Sequence, residues 1–237
     1  MEIDKNRIVV GSLILLFFIS GYFIKFDYLI LSTISLLVIF ELYKSKFINN
    51  SFDYLILFFF IIMLPIIYFN YEFIIYLNFF LFFLIILNIL IPGFYIKKVF
   101  LICVLIFIQN LFSIHYIDRN LLYFTIFVAF FNDTIAYVFG KMLKGPLIIP
   151  SISPNKTWSG TIVSFILSFF IIYQYNLSIL ISSLLSISLF FGDIFYSYNK
   201  RKNHLKDFSK ILLNHGGILD RLDSMFFFTI ILIFSIK

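Results

Sequence analysis

Nine apolar runs, at about 8–24, 28–43, 54–70, 73–92, 98–116, 121–140, 158–174, 177–197 and 222–236, follow one another with only short clusters of charged and turn residues between them. Wound as helices at ~1.5 Å per residue, runs of this length approach the ~30 Å hydrocarbon thickness of a bilayer. Only 13% of the 237 residues are charged, against about 25% in an ordinary soluble domain. Such a chain cannot cover a globular surface with polar groups, whereas side chains that face lipid need not be polar. The sequence therefore predicts an all-α, polytopic integral membrane protein with about nine transmembrane helices. Because the runs are continuously apolar, their length rather than an amphipathic period carries the assignment.

Phe accounts for 36 residues and Tyr for 15, while Ala occurs only at Ala129 and Ala136 and Trp only at Trp158. In this background an aromatic cluster is expected to be lipid-facing filler rather than a stacking platform, and Ala, Arg, Gly and Trp carry more information. The single cysteine, Cys103, lies inside an apolar run, so neither an intrachain disulfide nor a thiolate metal site is expected. The charged stretch from Met1 to Arg7 leads into the first run with no small-residue cleavage site, so that run is read as a retained span.

Nine spans place the termini on opposite sides of the membrane and sort the connecting segments into two sets. Fifteen of the 18 Lys and Arg fall on the side of the N-terminus, leaving Lys25, Arg119 and Lys237 on the other. The positive-inside rule then puts the N-terminus and the two longest loops in the cytoplasm, as in a bacterial inner membrane. The net charge of +6 belongs mainly to these juxtamembrane loops, beside anionic headgroups of the lipid bilayer, and nucleic acid is not an expected partner. The chain divides near residue 118. Residues 1–118 form about five N-terminal spans with polar groups mainly at their ends; residues 119–237 form about four spans with polar groups inside them and in long loops.

Two carboxylates interrupt the later spans, Asp133 in the sixth and Asp193 in the eighth. A charge at bilayer depth costs roughly 2.5–3.5 kcal/mol on insertion scales, so such residues usually face a cavity, a partner or a metal. Both lie near the cytoplasmic end of their helix, which points to one site open to that side. The loop after the sixth run contains Ser153-Pro154-Asn155-Lys156-Thr157-Trp158-Ser159-Gly160. Thr157 or Ser159 could cap the seventh helix, and Lys156 would then lie near its N-terminus, where free amides favour a phosphate. The last loop adds Asp193, Ser197, Lys200-Arg201, Lys206-Asp207 and His215-Gly216-Gly217-Ile218-Leu219-Asp220-Arg221-Leu222-Asp223. On a continuous helix Asp193 and Ser197 share a face at i, i+4; on a helix starting near Ile218, Asp220 and Asp223 share one at i, i+3. Carboxylate and hydroxyl oxygens suit a hard divalent cation, and Mg²⁺ is commonly held by one or two carboxylates plus substrate phosphates. The bland alternative is a solvated hairpin with Gly216-Gly217 as its turn. His115 and His204 have no supporting constellation.

These blocks resemble the phosphatidate cytidylyltransferase (CDP-diacylglycerol synthase) family. The resemblance rests on Ser197, Lys200-Arg201, Lys206-Asp207 and His215 to Asp223 at the family's spacings, with Asp133-Thr134-Ile135-Ala136-Tyr137 and Ser153 to Gly160 upstream, and covers about residues 131–224. Departures are Asn199 where the family prefers an apolar residue, Leu213-Asn214 before His215, and Ile135 at a position usually held by Gly; none removes a charged group. Against the compositional drift, six of the nine glycines fall in this half.

The resemblance implies transfer of a cytidylyl group from CTP to phosphatidate, giving CDP-diacylglycerol and pyrophosphate. It assigns catalysis to Asp193, Asp220, Asp223 and Lys206. Binding of the CTP and lipid phosphates falls to Lys156, Ser197, Lys200, Arg201, His215, Gly216, Gly217 and Arg221, and Mg²⁺, with room for a second cation, to Asp133, Asp193, Asp220 and Asp223. A homodimer is a possible assembly. Two rival readings are another CTP-using lipid enzyme, such as a polyprenol kinase, and an ion or solute transporter in which Asp133 and Asp193 line a path. The absence of an internal repeat argues against the transporter.

Overall fold

The computed structural model describes residues 18, 20–69, 72–90, 96–209, 211 and 216–236. The apolar runs fold into helices in the order α1 (Asp27–Lys44), α2 (Ser51–Phe69), α3 (Glu72–Leu90), α4 (Ile96–Ile117), α5 (Arg119–Leu143), α6 (Trp158–Tyr173), α7 (Ile179–Lys202), α8 (Leu219–Leu222) and α9 (Met225–Ser235). Among the described residues three helices, α4, α5 and α7, are long and apolar enough to cross a bilayer, and shorter apolar helical stretches lie at Ser51–Met63, Glu72–Leu87, Trp158–Tyr173 and Met225–Ser235. The first apolar run lies largely outside the described residues, and the structure supports a helical membrane fold without fixing nine spans.

Burial is distributed as a lipid-embedded bundle requires. Large apolar side chains stand outward on most helices, Leu36, Tyr76 and Leu180 among them, making a surface far more apolar than a soluble monomer tolerates. At the centre is α4, which packs against α1, α2, α3, α5, α7 and α9; from Val99 to Leu111 its side chains are almost continuously buried, Cys103 included. Contacts between helices use small and polar residues, as expected where apolar burial alone does not distinguish protein from lipid. Asn78 on α3 and Asn110 on α4 exchange two amide hydrogen bonds of 3.2 and 3.1 Å. On the other side Ser168 donates to Asn132 at 3.2 Å, and Ser186 to the Phe165 carbonyl at 3.1 Å.

The structure corrects the sequence reading in three places. The segment between α5 and α6 is an antiparallel hairpin, β1 (Leu147–Ile149) and β2 (Ser153–Thr157), with Leu147 opposite Thr157 and Ile149 opposite Ser153. The helix expected at 177–197 continues to Lys202, because Lys200, Arg201 and Lys202 are good helix formers that favour the negative end of the dipole even though they end the apolar run. The last run is divided: α8 and α9 are separated at Asp223-Ser224, where both residues keep right-handed helical angles but their carbonyl oxygens lie against Gly192 of α7.

Two ends of the bundle are tied by charged groups. At one, Arg119 bonds the Asp27 carboxylate, Tyr123 donates to that same carboxylate, and His115 Nε2 lies 3.4 Å from it; this histidine, expected to be incidental, belongs to the staple. At the other, Asp53 accepts from the amides of Asn49 and Asn50 at 3.0 Å and pairs with Lys98. Glu41, Asp193 and Asp220 belong to this second end.

Candidate active site

Close backbone approach assembles the site. On α6, Gly160 packs so tightly on α5 that a β-carbon would stand 2.9 Å from the Gly140 Cα. Thr157 caps α6 by accepting from the Gly160 amide at 3.3 Å, and Ser159 accepts from the Gly145 amide at 3.1 Å. This double tether fixes the end of β2 and with it Lys156, which forms an ion pair with Asp193 of α7. The expected face on α7 is present: Ser197 donates to Asp193 at 3.3 Å. One turn further, Lys200 pairs with Asp220 at 2.7 Å, and both side chains are more than nine-tenths buried.

Asp220 is also the organiser of its own loop. Its Oδ2 accepts from the Gly217 amide at 2.8 Å and the Phe208 amide at 3.1 Å. Gly216 has a φ of +80° and a β-carbon there would lie 2.9 Å from Asp220 Oδ2, so glycine is required both for the backbone and for the space. Asp223, buried, accepts from the Ser224 amide at 2.9 Å, and the Ser224 hydroxyl reaches Asp133 on α5 at 3.5 Å.

The remaining candidates divide. Asp133 interacts electrostatically with Asp193, Lys156 and Arg221, and Asp223 with Asp193, Lys200, Asp133 and Asp220. All four acids, Lys156, Lys200 and Arg221 therefore share one neighbourhood. Arg201 instead donates to the Ile152 carbonyl at 3.2 Å and the Leu205 carbonyl at 2.9 Å, tying the hairpin to the end of α7. Lys206 and Asp207 are exposed beside the loop, and His215 lies outside the described residues. Among the described residues no three acids, histidines or cysteines are gathered tightly enough to hold a metal ion alone. The donors nevertheless suit Mg²⁺, which needs only one or two carboxylates when phosphates complete its shell.

One residue escaped the sequence reading. Glu41 on α1 is fully buried, and its carboxylate accepts from Ser209 Oγ at 2.7 Å and from the amides of Ile218 and Leu219 at 2.7 and 2.9 Å. The available signal was an acid two residues before the end of an otherwise apolar run.

Lys156 and Lys200 are each held by a carboxylate, the first pair partly exposed and the second buried, and an ammonium so placed can exchange its carboxylate for the oxygens of a phosphate. This chemistry agrees with what the chain is similar to. Residues 5–237 match the Cytidylyltransferase family, and the chain belongs to it. The match extends well beyond residues 131–224 and takes in the N-terminal half. Among curated proteins, the phosphatidate cytidylyltransferase of Rickettsia conorii (strain ATCC VR-613 / Malish 7) is 40% identical over 116 residues, 42% of this chain and 50% of that protein. That of Rickettsia bellii (strain RML369-C) is 40% identical over 118 residues, 43% of this chain and 51% of the relative. That of Staphylococcus aureus (strain COL) is 38% identical over 125 residues, 48% and 46% of the two chains. The chain spans about half the length of the curated relatives it matches.

Proposed function

We propose that this protein transfers the cytidylyl group of CTP to phosphatidate, forming CDP-diacylglycerol and pyrophosphate. The observation that carries the reading is the pair of lysine–carboxylate contacts, Lys156–Asp193 and Lys200–Asp220, set on separate elements beside Asp133 and Asp223. An oxygen of the lipid phosphate attacks the α-phosphorus of CTP, a new P–O bond forms, and the bond to the β-phosphate breaks with pyrophosphate leaving. A phosphate monoester is already a competent nucleophile, so orientation and charge neutralisation suffice without a covalent intermediate. Lys156, Lys200 and Arg221 hold phosphate oxygens; Arg201 contributes by fixing the hairpin that carries Lys156, and exposed Lys206 attracts the triphosphate from water. Asp193, with Asp133 and Asp223, would hold Mg²⁺, which supplies neutralisation of the pyrophosphate when bound.

The same proposal places the site at the cytoplasmic face of a bacterial inner membrane, in a chain of nine spans with its N-terminus inside. The lipid's phosphate lies in the headgroup plane, so a site near the membrane surface is reached sideways by lipid and from water by CTP. The fifteen-to-three bias of cations supports this orientation. A Lys206→Cys variant should react with an impermeant maleimide only from the cytoplasmic side, Cys103 being buried.

Incubation of the purified protein with phosphatidate and CTP labelled at the α or the γ phosphate tests the reaction. Label should enter lipid from the α position alone and be abolished by Asp193→Asn. Label entering lipid only from the γ position would make the protein a kinase.

A further inference from the structure

We propose that Glu41 is a positioning residue that locks the loop bearing Asp220, Arg221 and Asp223 into its working geometry; this rests on the cytidylyl-transfer reading. The short helix α8 begins at an Ile218 cap whose side chain makes no capping hydrogen bond, since an aliphatic residue has no oxygen to offer the first free amides. Glu41 supplies that oxygen from another helix. Its two carboxylate oxygens take the Ile218 and Leu219 amides, and Oε1 also takes the Ser209 hydroxyl, so Ser209 and the start of α8 meet on one side chain.

Asp220 grips the same turn from the opposite side through the Gly217 and Phe208 amides while holding Lys200. The turn is thus clamped between two carboxylates, one of which the proposed reaction uses and one of which it does not. Gly217 is the point of contact: a β-carbon there would stand 2.6 Å from Glu41 Oε2, so glycine at this position is what lets the carboxylate in.

Stability alone does not account for an acid at position 41. The side chain is 0% exposed, and among the described residues no cation forms an ion pair with it. A carboxylate withdrawn from water with neutral donors only is a costly arrangement that an apolar residue would avoid. What the acid supplies, and an apolar residue cannot, is a fixed direction for three donors of the loop. A displacement of about 1 Å at a phosphoryl-transfer site is enough to lower turnover about 100-fold.

The test uses the full chain reconstituted with phosphatidate, with α-labelled CTP and backbone amide exchange as readouts. Glu41→Ala should lower kcat about 100-fold while leaving the KM for CTP within about threefold, because Glu41 contacts no phosphate. Exchange should accelerate at Ile218 and Leu219 but not along α4. Glu41→Gln, whose carbonyl oxygen can replace Oε1, should lose less than Glu41→Ala and serves alone if the alanine variant does not fold. Gly217→Ala should reproduce the kcat loss in the wild-type background yet add little to Glu41→Ala, since removing the carboxylate makes room for the methyl group. Unchanged kcat in Glu41→Ala, or additive losses in the double variant, overturns the proposal. A wild type that transfers no α-label overturns the reaction instead, and the exchange rates at Ile218 and Leu219 then still decide whether Glu41 anchors the loop.

Discussion

Gly192 lies against the backbone of Asp223 at a distance that admits no side chain: a β-carbon would stand 2.6 Å from the Asp223 carbonyl oxygen and 2.8 Å from that of Ser224. The next residue on α7 is Asp193, so this contact sets the spacing between two of the site's acids. Gly192→Ala should push the α8–α9 junction away and lower turnover at least tenfold. Its cost in stability should be about 1–3 kcal/mol, as for other overpacked contacts. Label transfer and thermal unfolding in detergent measure the two effects; equal turnover with the expected destabilisation would show that the spacing does not matter.

Lys156 reaches the site from the hairpin and forms its ion pair there with Asp193. If it holds a phosphate of CTP, Lys156→Met should raise the KM for CTP. A hydrogen bond to a charged group is worth about 1.5–3 kcal/mol, which corresponds to roughly 10- to 150-fold. Steady-state kinetics at saturating phosphatidate checks this, and an unchanged KM would remove Lys156 from the nucleotide site.

Lys200 and Asp220 should not be equivalent in truncation experiments. Lys200→Met leaves Asp220 with its Gly217 and Phe208 amides still bound, whereas Asp220→Ala removes the hydrogen-bonded ion-pair partner of a buried lysine and orphans both amides. Breaking a buried pair from one side costs about 3–5 kcal/mol, and Asp220→Ala should fall at the upper end with Lys200→Met below it. The double variant Lys200→Met/Asp220→Asn should recover stability and remain inactive. Melting temperatures in detergent, read beside label transfer, separate these outcomes.

The Asp27–Arg119 contact lies at the opposite end of the bundle from Asp193, and its two side chains are 7% and 27% exposed. Arg119→Ala should therefore destabilise by about 2 kcal/mol, between the values for exposed and buried pairs. The KM for CTP should be unaffected. A lowered melting temperature combined with altered CTP kinetics would mean that the two ends are mechanically coupled.

Much of the site was readable from spacing because its parts are local: Asp193 and Ser197 are one helical turn apart, and Thr157 precedes the helix it caps. Residues whose role depends on distant partners were not readable in this way. Glu41 meets amides 177 and 178 positions away, and its place near the end of an apolar run does not say which partners it meets. The central position of α4 was equally hidden, since a helix facing lipid and one facing protein carry similar side chains. β1 comprises three residues, too few for any periodicity to show. The interruption at Asp223-Ser224 lies where two carbonyl oxygens meet Gly192 of another helix, a tertiary contact that a run reading as one helix does not reveal.

The anchor on Glu41 also has a consequence for biosynthesis. Ser209, its first partner in the chain, is separated from it by 168 residues, which a ribosome working at about 5–20 residues per second needs roughly ten to thirty seconds to add. Throughout that interval α1 carries a carboxylate whose eventual donors have not yet been made. The anchor consequently closes late in assembly: a nascent chain stalled before residue 209 already contains Glu41 and Lys156 but lacks all three donors of Glu41 and the Asp220 partner of Lys200.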